Sequence, residues 1–260
     1  MLGRLTARGD LSPTTVRYAY AVVRIALGRA LKSGRVVRNV ATLVDPPARN
    51  RREPKPLTAE QARALLSATA DDRLGPLWAV AIATGLRQGE LLALRWQDVD
   101  FEGATLTVRH TLHRGTRELA EPKTERARRT LRLGADALAT LREHRRRQLE
   151  ERIAAGPRWR DDGMVFASGI GTPLDARNVT RALADALRRT GLPPQRFHDL
   201  RHAYTTLLLE AGEDLAVVSR TLGHADLSTT ADIYAHLTPA MLERTAARMD
   251  AILDRRRALR

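Results

Sequence analysis

Arg87 stands between two glycines in the segment TGLRQGE, residues 84–90. Glycine lets the backbone turn sharply and approach a ligand closely, and a planar guanidinium matches the oxygens of a phosphate. The segment is therefore a candidate phosphate clamp, and the carboxylate of Glu90 is spaced to hold the arginine by an ion pair. The alternative is a corner between two helices with its arginine in solvent, where most arginines lie.

A second cluster, HDLRH, places His198, Arg201 and His202 within five residues. On a helix, residues three or four apart share a face, so these side chains are expected on one side. Imidazole and guanidinium groups together suit an oxyanion or a phosphate. Two alternatives stay open. One is a histidine held by hydrogen bonds for structural reasons. The other is a two-histidine zinc site, in which Asp199 replaces the usual glutamate base and a third protein ligand is lacking.

Three more side chains could take part in acid–base or nucleophilic chemistry: Lys123 in EPKT, His224 in LGH and Tyr234 in IYAH. A lysine can donate a proton, and a tyrosine oxygen can act as a nucleophile once its proton is removed. Each also has an ordinary interpretation, as a solvated charge, a turn residue and a half-buried core tyrosine. Lys123 stands out because 41 of the 44 basic residues are arginine.

Hydrophobic periodicity and capping residues predict a mainly helical chain with a small antiparallel β-sheet. Helices are expected at residues 12–31, 39–44, 58–68, 77–84, 90–94, 135–153, 175–189, 199–209, 215–222, 228–236 and 239–253. Thr58 and Gln61 have the spacing of a capping box, and Ser12 and Asp175 are placed to cap their helices. Alternating apolar residues predict strands at 104–112, 119–124 and 129–133, with a further short strand at 164–167.

Four prolines within residues 46–56 divide the chain, because prolines this close together stop helices and strands. We expect a partial helical domain at residues 1–45, a proline- and arginine-rich linker at 46–56 and a larger domain at 57–260. The first part is too short to build a core of its own.

The composition points to a polyanionic partner. The chain carries 44 basic and 30 acidic residues, a formal net charge of +14, and no cysteine. The lack of cysteine excludes a disulfide scaffold, a thiol nucleophile and a cysteine-ligated metal. No segment joins a basic face to a bulky apolar one, and the longest apolar stretch is too short to span a bilayer. Nucleic acid is therefore a better partner than a membrane.

In their order and spacing, six residues resemble the catalytic set of the tyrosine recombinases, also called the phage integrase family: Arg87, Lys123, His198, Arg201, His224 and Tyr234. The blocks TGLRQGELLALRWQDVD, PKTERARRTLRL, FHDLRHAYTTLLLEAG and LGHADLSTTADIYAH are similar to that family's blocks, from about residue 57 to the C-terminus. The resemblance implies the family's catalytic domain, mainly α with a small antiparallel β-sheet. The resemblance further implies that the residues before it form part of a helical core-binding (SAM-like) domain, whose opening helices are expected to be missing.

The resemblance also implies a reaction. DNA would be cleaved and rejoined through a covalent 3′-phosphotyrosine at Tyr234, with release of a 5′-hydroxyl. Arg87 and Arg201 would cradle the non-bridging phosphate oxygens. His198 would hydrogen-bond one of these oxygens or accept the tyrosine proton, and Lys123 would protonate the leaving oxygen.

His224 would donate to the same phosphate, and Glu90 and His202 would support the set; no metal, ATP or other cofactor is expected. The implied partners are double-stranded DNA and, through the C-terminal helix, a homotetramer on DNA, with no membrane. The expected location is the cytoplasm, on the nucleoid, for a protein of bacterial or phage origin. The arginines expected to contact DNA are Arg126, Arg128, Arg142, Arg146 and Arg177.

The leading interpretation is a site-specific recombinase or integrase that integrates or excises a mobile element. The short N-terminal part keeps a second interpretation open, a truncated or decayed integrase that binds DNA without catalysis. A third is an activity like that of type IB topoisomerases, which use the same nucleophile.

Overall fold

The computed structural model of the chain describes residues 2–7, 9–46, 48, 56–113, 118–121 and 128–223. The chain divides into two compact units, Met1–Pro54 and Lys55–Arg260. Among the described residues, no helix combines the length and the apolar character that a bilayer crossing requires.

The smaller unit is built on one long helix. Its elements are α1 (Leu2–Ala7), α2 (Pro13–Lys32) and a 3₁₀ turn at Val40–Leu43. The Ser12 side chain accepts a hydrogen bond from the backbone N–H of Thr15, as expected for its capping role. The Tyr20 hydroxyl donates to the carbonyl of Ala41 at 3.0 Å, which fastens the turn to α2.

In the larger unit, the sequence located most helices to within a few residues. The helices are α3 (Ala59–Ala68), α4 (Gly75–Thr84), α5 (Gln88–Leu92), α6 (Ala135–Ala155), α7 (Ala176–Arg189), α8 (Phe197–Ala211) and α9 (Leu215–Leu222). The capping box at Thr58 and Gln61 is confirmed, with both reciprocal hydrogen bonds present. The Asp175 side chain accepts from the Arg177 amide, as predicted. The helices expected at 228–236 and 239–253 lie outside the described residues.

The strands differ from the prediction. They are β1 (Val99–Asp100), β2 (Thr105–Val108), β3 (Thr111–Leu112), β4 (Leu119–Ala120) and β5 (Arg129–Arg132), arranged as a three-stranded sheet β1-β2-β5 and a separate pair β3-β4, all antiparallel. The single strand expected at 104–112 is wrong because its two halves pair with different partners, β2 with β5 and β3 with β4. The turn between β4 and β5 lies outside the described residues.

The strand expected at 164–167 is also wrong. This segment makes two isolated bridges, Arg95 with Met164 and Ala167 with Pro173, and joins neither sheet. Side chains of α6 contact a backbone carbonyl of this segment instead. The His144 ring lies 2.7 Å from the Val165 oxygen, and the Gln148 amide donates to the same oxygen at 2.9 Å.

The core of the larger unit forms around α4, which is buried along nearly its whole length and packs against α6 and α8. Trp78 of α4 meets Phe197 of α8 with ring centroids 6.1 Å apart. Because α4 is fixed on several sides, its C-terminal end is fixed too, and the segment with Arg87 begins there.

The turn between α3 and α4 is joined to two other helices, α6 and α7, through charge pairs. Arg73 donates to Glu151 of α6 at 2.7 Å and to the Ala167 carbonyl at 2.8 Å. Asp72 pairs with Arg189 of α7. The turn has no room for a side chain at Gly75, where an added Cβ would lie 1.9 Å from the Thr69 oxygen.

Candidate active site

Arg201 lies at the centre of the candidate site and is buried, with 3% of its surface exposed. It is on α8, whose first turn is capped by the Asp199 carboxylate accepting from the Arg196 amide. The guanidinium donates to the carbonyl of Gly85 and to that of Leu222, each at 2.8 Å. Burial, reinforced by the positive charge of Arg87, lowers the pKa of Arg201 to about 9.

The two carbonyls that Arg201 contacts are helix ends. Gly85 caps α4 with a φ of 62°, and Leu222 is the last residue of α9. A Cβ at Gly85 would lie 2.6 Å from a ring carbon of Tyr204, so both the backbone angle and the space require glycine. Carbonyls at a helix C-terminus have no partner within the helix, and a guanidinium is well suited to satisfy them.

Glu90 holds Arg87 as the sequence suggested, but it also holds a second arginine. Its carboxylate accepts from the Arg87 backbone at 3.0 Å and from the Arg87 side chain at 2.8 Å. From the other side, Arg129 donates to its two oxygens at 3.3 and 2.9 Å. Burial opposes ionisation of this carboxyl, yet the bonds from Arg129 and Arg87 keep the pKa of Glu90 below its usual value.

Sequence reasoning missed Arg129, which begins β5 and has a side chain only 8% exposed. Its Nε also donates to the carbonyl of Thr221 in α9 at 2.7 Å. A signal was present in the sequence: Arg129 is two residues before Leu131, and residues two apart in a strand face the same side. An arginine on the buried face of a strand needs a partner, and here Glu90 supplies it.

His198 and His202 lie one helical turn apart on α8, with ring centroids 4.9 Å apart and edge-to-face. Partial burial, together with the neighbouring His202, Arg201 and Arg87, lowers the pKa of His198 to about 4. The pKa of His202 is lowered as well, mainly by burial. His198 is therefore neutral at physiological pH and can either donate or accept a hydrogen bond.

The structure thus brings together Arg87, Glu90, His198 and Arg201, with His202 beside them. The predicted Lys123, His224 and Tyr234 lie outside the described residues, as does Arg126. Within the described part of the chain, no three side chains of metal-ligand type gather into a group that could hold an ion.

Three of the remaining arginines expected to contact DNA lie against other side chains of this protein. Arg128 pairs with Glu121 at 3.1 Å, and Arg142 lies over the Phe101 ring with its guanidinium carbon 5.6 Å from the centroid. The guanidinium of Arg146 is occupied by two carboxylates, those of Glu143 and Glu150. Arg177 is exposed in the first turn of α7.

The chemical character of this cluster is that of an oxyanion site. Three guanidiniums, those of Arg87, Arg129 and Arg201, surround one carboxylate, so the group is positive overall. Arg87 retains 41% side-chain exposure and faces solvent, while the other two arginines are buried behind it. Fixed donors in a partly dry setting stabilise a phosphate, and they stabilise it more as negative charge grows on its oxygens.

Comparison with known proteins agrees with this geometry. The chain is 38% identical over 194 residues to a XerC-like tyrosine recombinase of Caldanaerobacter subterraneus subsp. tengcongensis, covering 69% of this chain and 50% of that protein. It is 33% identical over 258 residues to an integrase of Streptomyces ambofaciens, covering 94% and 66%. The chain therefore spans between half and two thirds of the length of these relatives.

Among solved structures, the Tn1549 transposon integrase in complex with a circular intermediate DNA has the same fold. The TM-score is 0.79 at 23% identity, over 95% of this chain and 83% of that one. The XerA recombinase matches with a TM-score of 0.60, over 95% and 80%. The model of the phage integrase family matches residues 55–241, which is most of the chain, and the chain belongs to that family.

Proposed function

We propose that the chain is a site-specific DNA recombinase that cleaves and rejoins DNA through a covalent 3′-phosphotyrosine intermediate, for integration or excision of a mobile element. The observation that carries the proposal is the oxyanion cluster of Arg87, Arg201 and His198, assembled from segments more than 100 residues apart in a member of the phage integrase family. Relatives named as tyrosine recombinases and integrases support the same function.

The chemical step is a phosphoryl transfer in which one phosphate ester bond forms for each one that breaks. The Tyr234 oxygen attacks the DNA phosphorus, a tyrosine–phosphorus bond forms, and the bond from phosphorus to the 5′-oxygen breaks. The leaving 5′-oxygen takes up a proton and becomes a hydroxyl. Attack by a second 5′-hydroxyl reverses the step and joins new ends, so no external energy source is needed.

Arg87 and Arg201 suit the two non-bridging oxygens of that phosphate. Arg201 is fixed by two backbone carbonyls, and a guanidinium has five N–H donors, so these contacts leave capacity for a ligand. Neutral His198 suits the tyrosine proton, because a lowered pKa keeps the ring neutral and a neutral imidazole has one ring nitrogen without a proton that can accept one.

Lys123 and His224 are proposed to complete the site, as general acid and as phosphate donor. Chain connectivity supports His224, since it follows Leu222 by two residues and consecutive Cα atoms are about 3.8 Å apart. For Lys123, the support is that Arg129, six residues later, belongs to the cluster.

Double-stranded DNA is the proposed substrate, bound by an assembly of several subunits. Support comes from the Tn1549 integrase complexed with DNA and from the lambda integrase tetramer bound to a Holliday junction, which has a TM-score of 0.60 to this chain. We propose a homotetramer joined through the C-terminal helix, located in the cytoplasm with the nucleoid.

A nicked suicide duplex tests the proposal. The duplex is taken from DNA flanking the gene and selected for binding to the protein. Cleavage next to the nick releases a short strand that diffuses away, so the ends cannot be rejoined and the covalent adduct accumulates. We expect a covalent protein–DNA adduct from the native chain and none from Tyr234→Phe. Tyr204→Phe is the matched control: burial raises the pKa of Tyr204, which makes it a poor nucleophile, so this variant still forms an adduct. An adduct from Tyr234→Phe would contradict the proposal.

A further inference from the structure

One side chain, Arg129, connects three segments that carry proposed catalytic residues. It begins β5, six residues after Lys123. Its two terminal nitrogens contact Glu90, which holds Arg87, and its Nε contacts the Thr221 carbonyl near the end of α9. His224 follows that helix end. No other side chain of the described cluster forms hydrogen bonds to both Glu90 and α9.

The contact of Arg129 with Glu90 sets the net charge of the group around Arg87. The carboxylate accepts four hydrogen bonds, two from Arg87 and two from Arg129, which is about its full capacity. With Arg129 present, these three side chains carry a net positive charge. Without it, Glu90 would offset the charge of Arg87, the cluster would lose one positive charge, and its attraction for a phosphate would weaken.

The contact with Thr221 fixes the exit of α9. Arg129 takes the Thr221 carbonyl, and Arg201 takes that of the next residue, Leu222. Two guanidiniums thus hold the last two carbonyls of the helix, and Gly223 follows in a left-handed conformation with a φ of 68°. The direction in which the chain leaves α9 therefore depends on both arginines.

We propose that Arg129 is a positioning residue of the recombinase. It offsets the negative charge of Glu90, so that the group around Arg87 stays net positive, and it fixes the end of α9 through the Thr221 carbonyl. It acts through these neighbours and does not itself contact the scissile phosphate. The inference rests on the proposed function, since the groups that it positions are those of DNA cleavage.

The test compares Arg129→Gln with Arg132→Gln, a control on the same strand whose exposed side chain donates to the Gly103 carbonyl. Single-turnover adduct formation is measured on the suicide duplex at saturating protein, with DNA affinity measured separately. We expect Arg129→Gln to cleave about 10- to 100-fold more slowly with little change in affinity, because displaced catalytic groups cost rate more than binding. Arg132→Gln is expected to cleave at the native rate.

A double variant separates positioning from mere packing. Adding Glu90→Gln to Arg129→Gln removes the negative charge that would neutralise Arg87, while the amide oxygen of glutamine can still accept from the Arg87 backbone N–H. The double variant should therefore cleave faster than Arg129→Gln alone. If Arg129 only filled space, the effect of losing Glu90 would add to that of losing Arg129, and the double variant would cleave more slowly than Arg129→Gln alone. Arg129→Lys keeps the charge but not the fork, and we expect an intermediate rate; it also serves if the glutamine variant does not fold.

Hydrogen exchange gives a readout that does not need cleavage. The amides of Arg87 and of the last turn of α9 should exchange several-fold faster in Arg129→Gln than in the native chain. In Arg132→Gln their exchange rates should be unchanged. A folded Arg129→Gln variant that cleaves DNA or exchanges these amides at the native rate would overturn the role of Arg129. So would a double variant that cleaves more slowly than Arg129→Gln. If the native chain itself formed no adduct, the proposed function would fail, and the exchange data would still decide the structural role.

Discussion

At the scale of single residues, the site is notable for how Arg201 is held. A buried guanidinium usually pairs with a carboxylate, yet here the partners are the carbonyls of Gly85 and Leu222. Carbonyls orient the group without cancelling its charge. The lowered pKa shows that the charged form is less favourable in the fold than in water, so a full positive charge is retained at some cost to stability.

His198 gives a prediction that NMR can check. Its pKa near 4, against an ordinary value of 6.5, means that the unfolded chain binds the proton more tightly between those pH values. The free energy of unfolding should therefore fall as pH drops from 6.5 to 4, and His198→Gln should flatten that slope. A ring titration in the free protein should give a pKa below 5, and bound DNA should raise it, since a phosphate favours the imidazolium. A pKa of 6.5 or more in the free protein would refute the prediction.

At the scale of elements, three helical segments begin with the same device. The carboxylates of Glu90, Asp98 and Asp199 each accept from the backbone amide of an arginine three residues earlier, at Arg87, Arg95 and Arg196 respectively. A carboxylate in the first turn also faces the positive end of the helix. At α5 this local device orients Arg87, so the start of a five-residue helix also builds the site.

Gly85 gives the prediction at this scale, with Gly191 as its control. Both have nearly the same left-handed φ, 62° and 65°, but a Cβ at Gly191 meets nothing within 4 Å. Gly191→Ala should cost about 1–2 kcal/mol of unfolding free energy from the backbone alone. Gly85→Ala should cost about 1–3 kcal/mol more, because the methyl meets Tyr204 and Leu222.

Urea unfolding measures both changes, and the suicide duplex measures cleavage. Only Gly85→Ala should slow adduct formation, since the Gly85 carbonyl orients Arg201. Equal stability losses in the two variants would show that packing at Gly85 contributes nothing.

Local signals predicted the helices well, because a cap and an apolar period are properties of neighbouring residues. Ser12, Thr58 and Asp175 cap the helices that they were expected to cap. The strands were harder to predict, because a strand ends where its partner ends: β2 stops at Val108, which pairs with the first residue of β5. Neither that register nor the contact of Arg129 with Glu90, 39 residues away, can be read from nearby sequence.

The same limit applies to the site. Arg87, His198 and Arg201 were identified by the family's order of motifs, and the pairing of Glu90 with Arg87 followed from a spacing of three residues. The role of the Gly85 and Leu222 carbonyls depends on tertiary structure alone, because a backbone oxygen leaves no mark on residue type. For Lys123, His224 and Tyr234, the sequence assignment stays a prediction.

At the scale of the whole molecule, the net charge of +14 favours DNA, but the arginines that produce it are not equivalent. The guanidinium of Arg146 already lies between Glu143 and Glu150, whereas Arg177 is exposed at the N-terminal turn of α7. A phosphate would have to compete with two carboxylates at Arg146 and with neither of them at Arg177.

Salt dependence of DNA binding tests this difference. Each phosphate contact steepens the slope of log affinity against log salt by about 0.9. We expect Arg177→Gln to make the slope shallower by about that amount and Arg146→Gln to leave it unchanged. Fluorescence anisotropy over a salt series measures both, and a reduced slope for Arg146→Gln would show that its ion pairs open on DNA.

The turn between α3 and α4 has a practical consequence. Surface turns are ordinarily where peptide insertions are tolerated. Here Asp72 and Arg73 reach two different helices, and Gly75 closes tightly on Thr69. An epitope tag or fluorescent protein inserted at this turn would pull α6 and α7 from α4. Labels for following the protein on DNA should therefore be placed elsewhere, for example at Gly191, where an added Cβ would meet nothing within 4 Å.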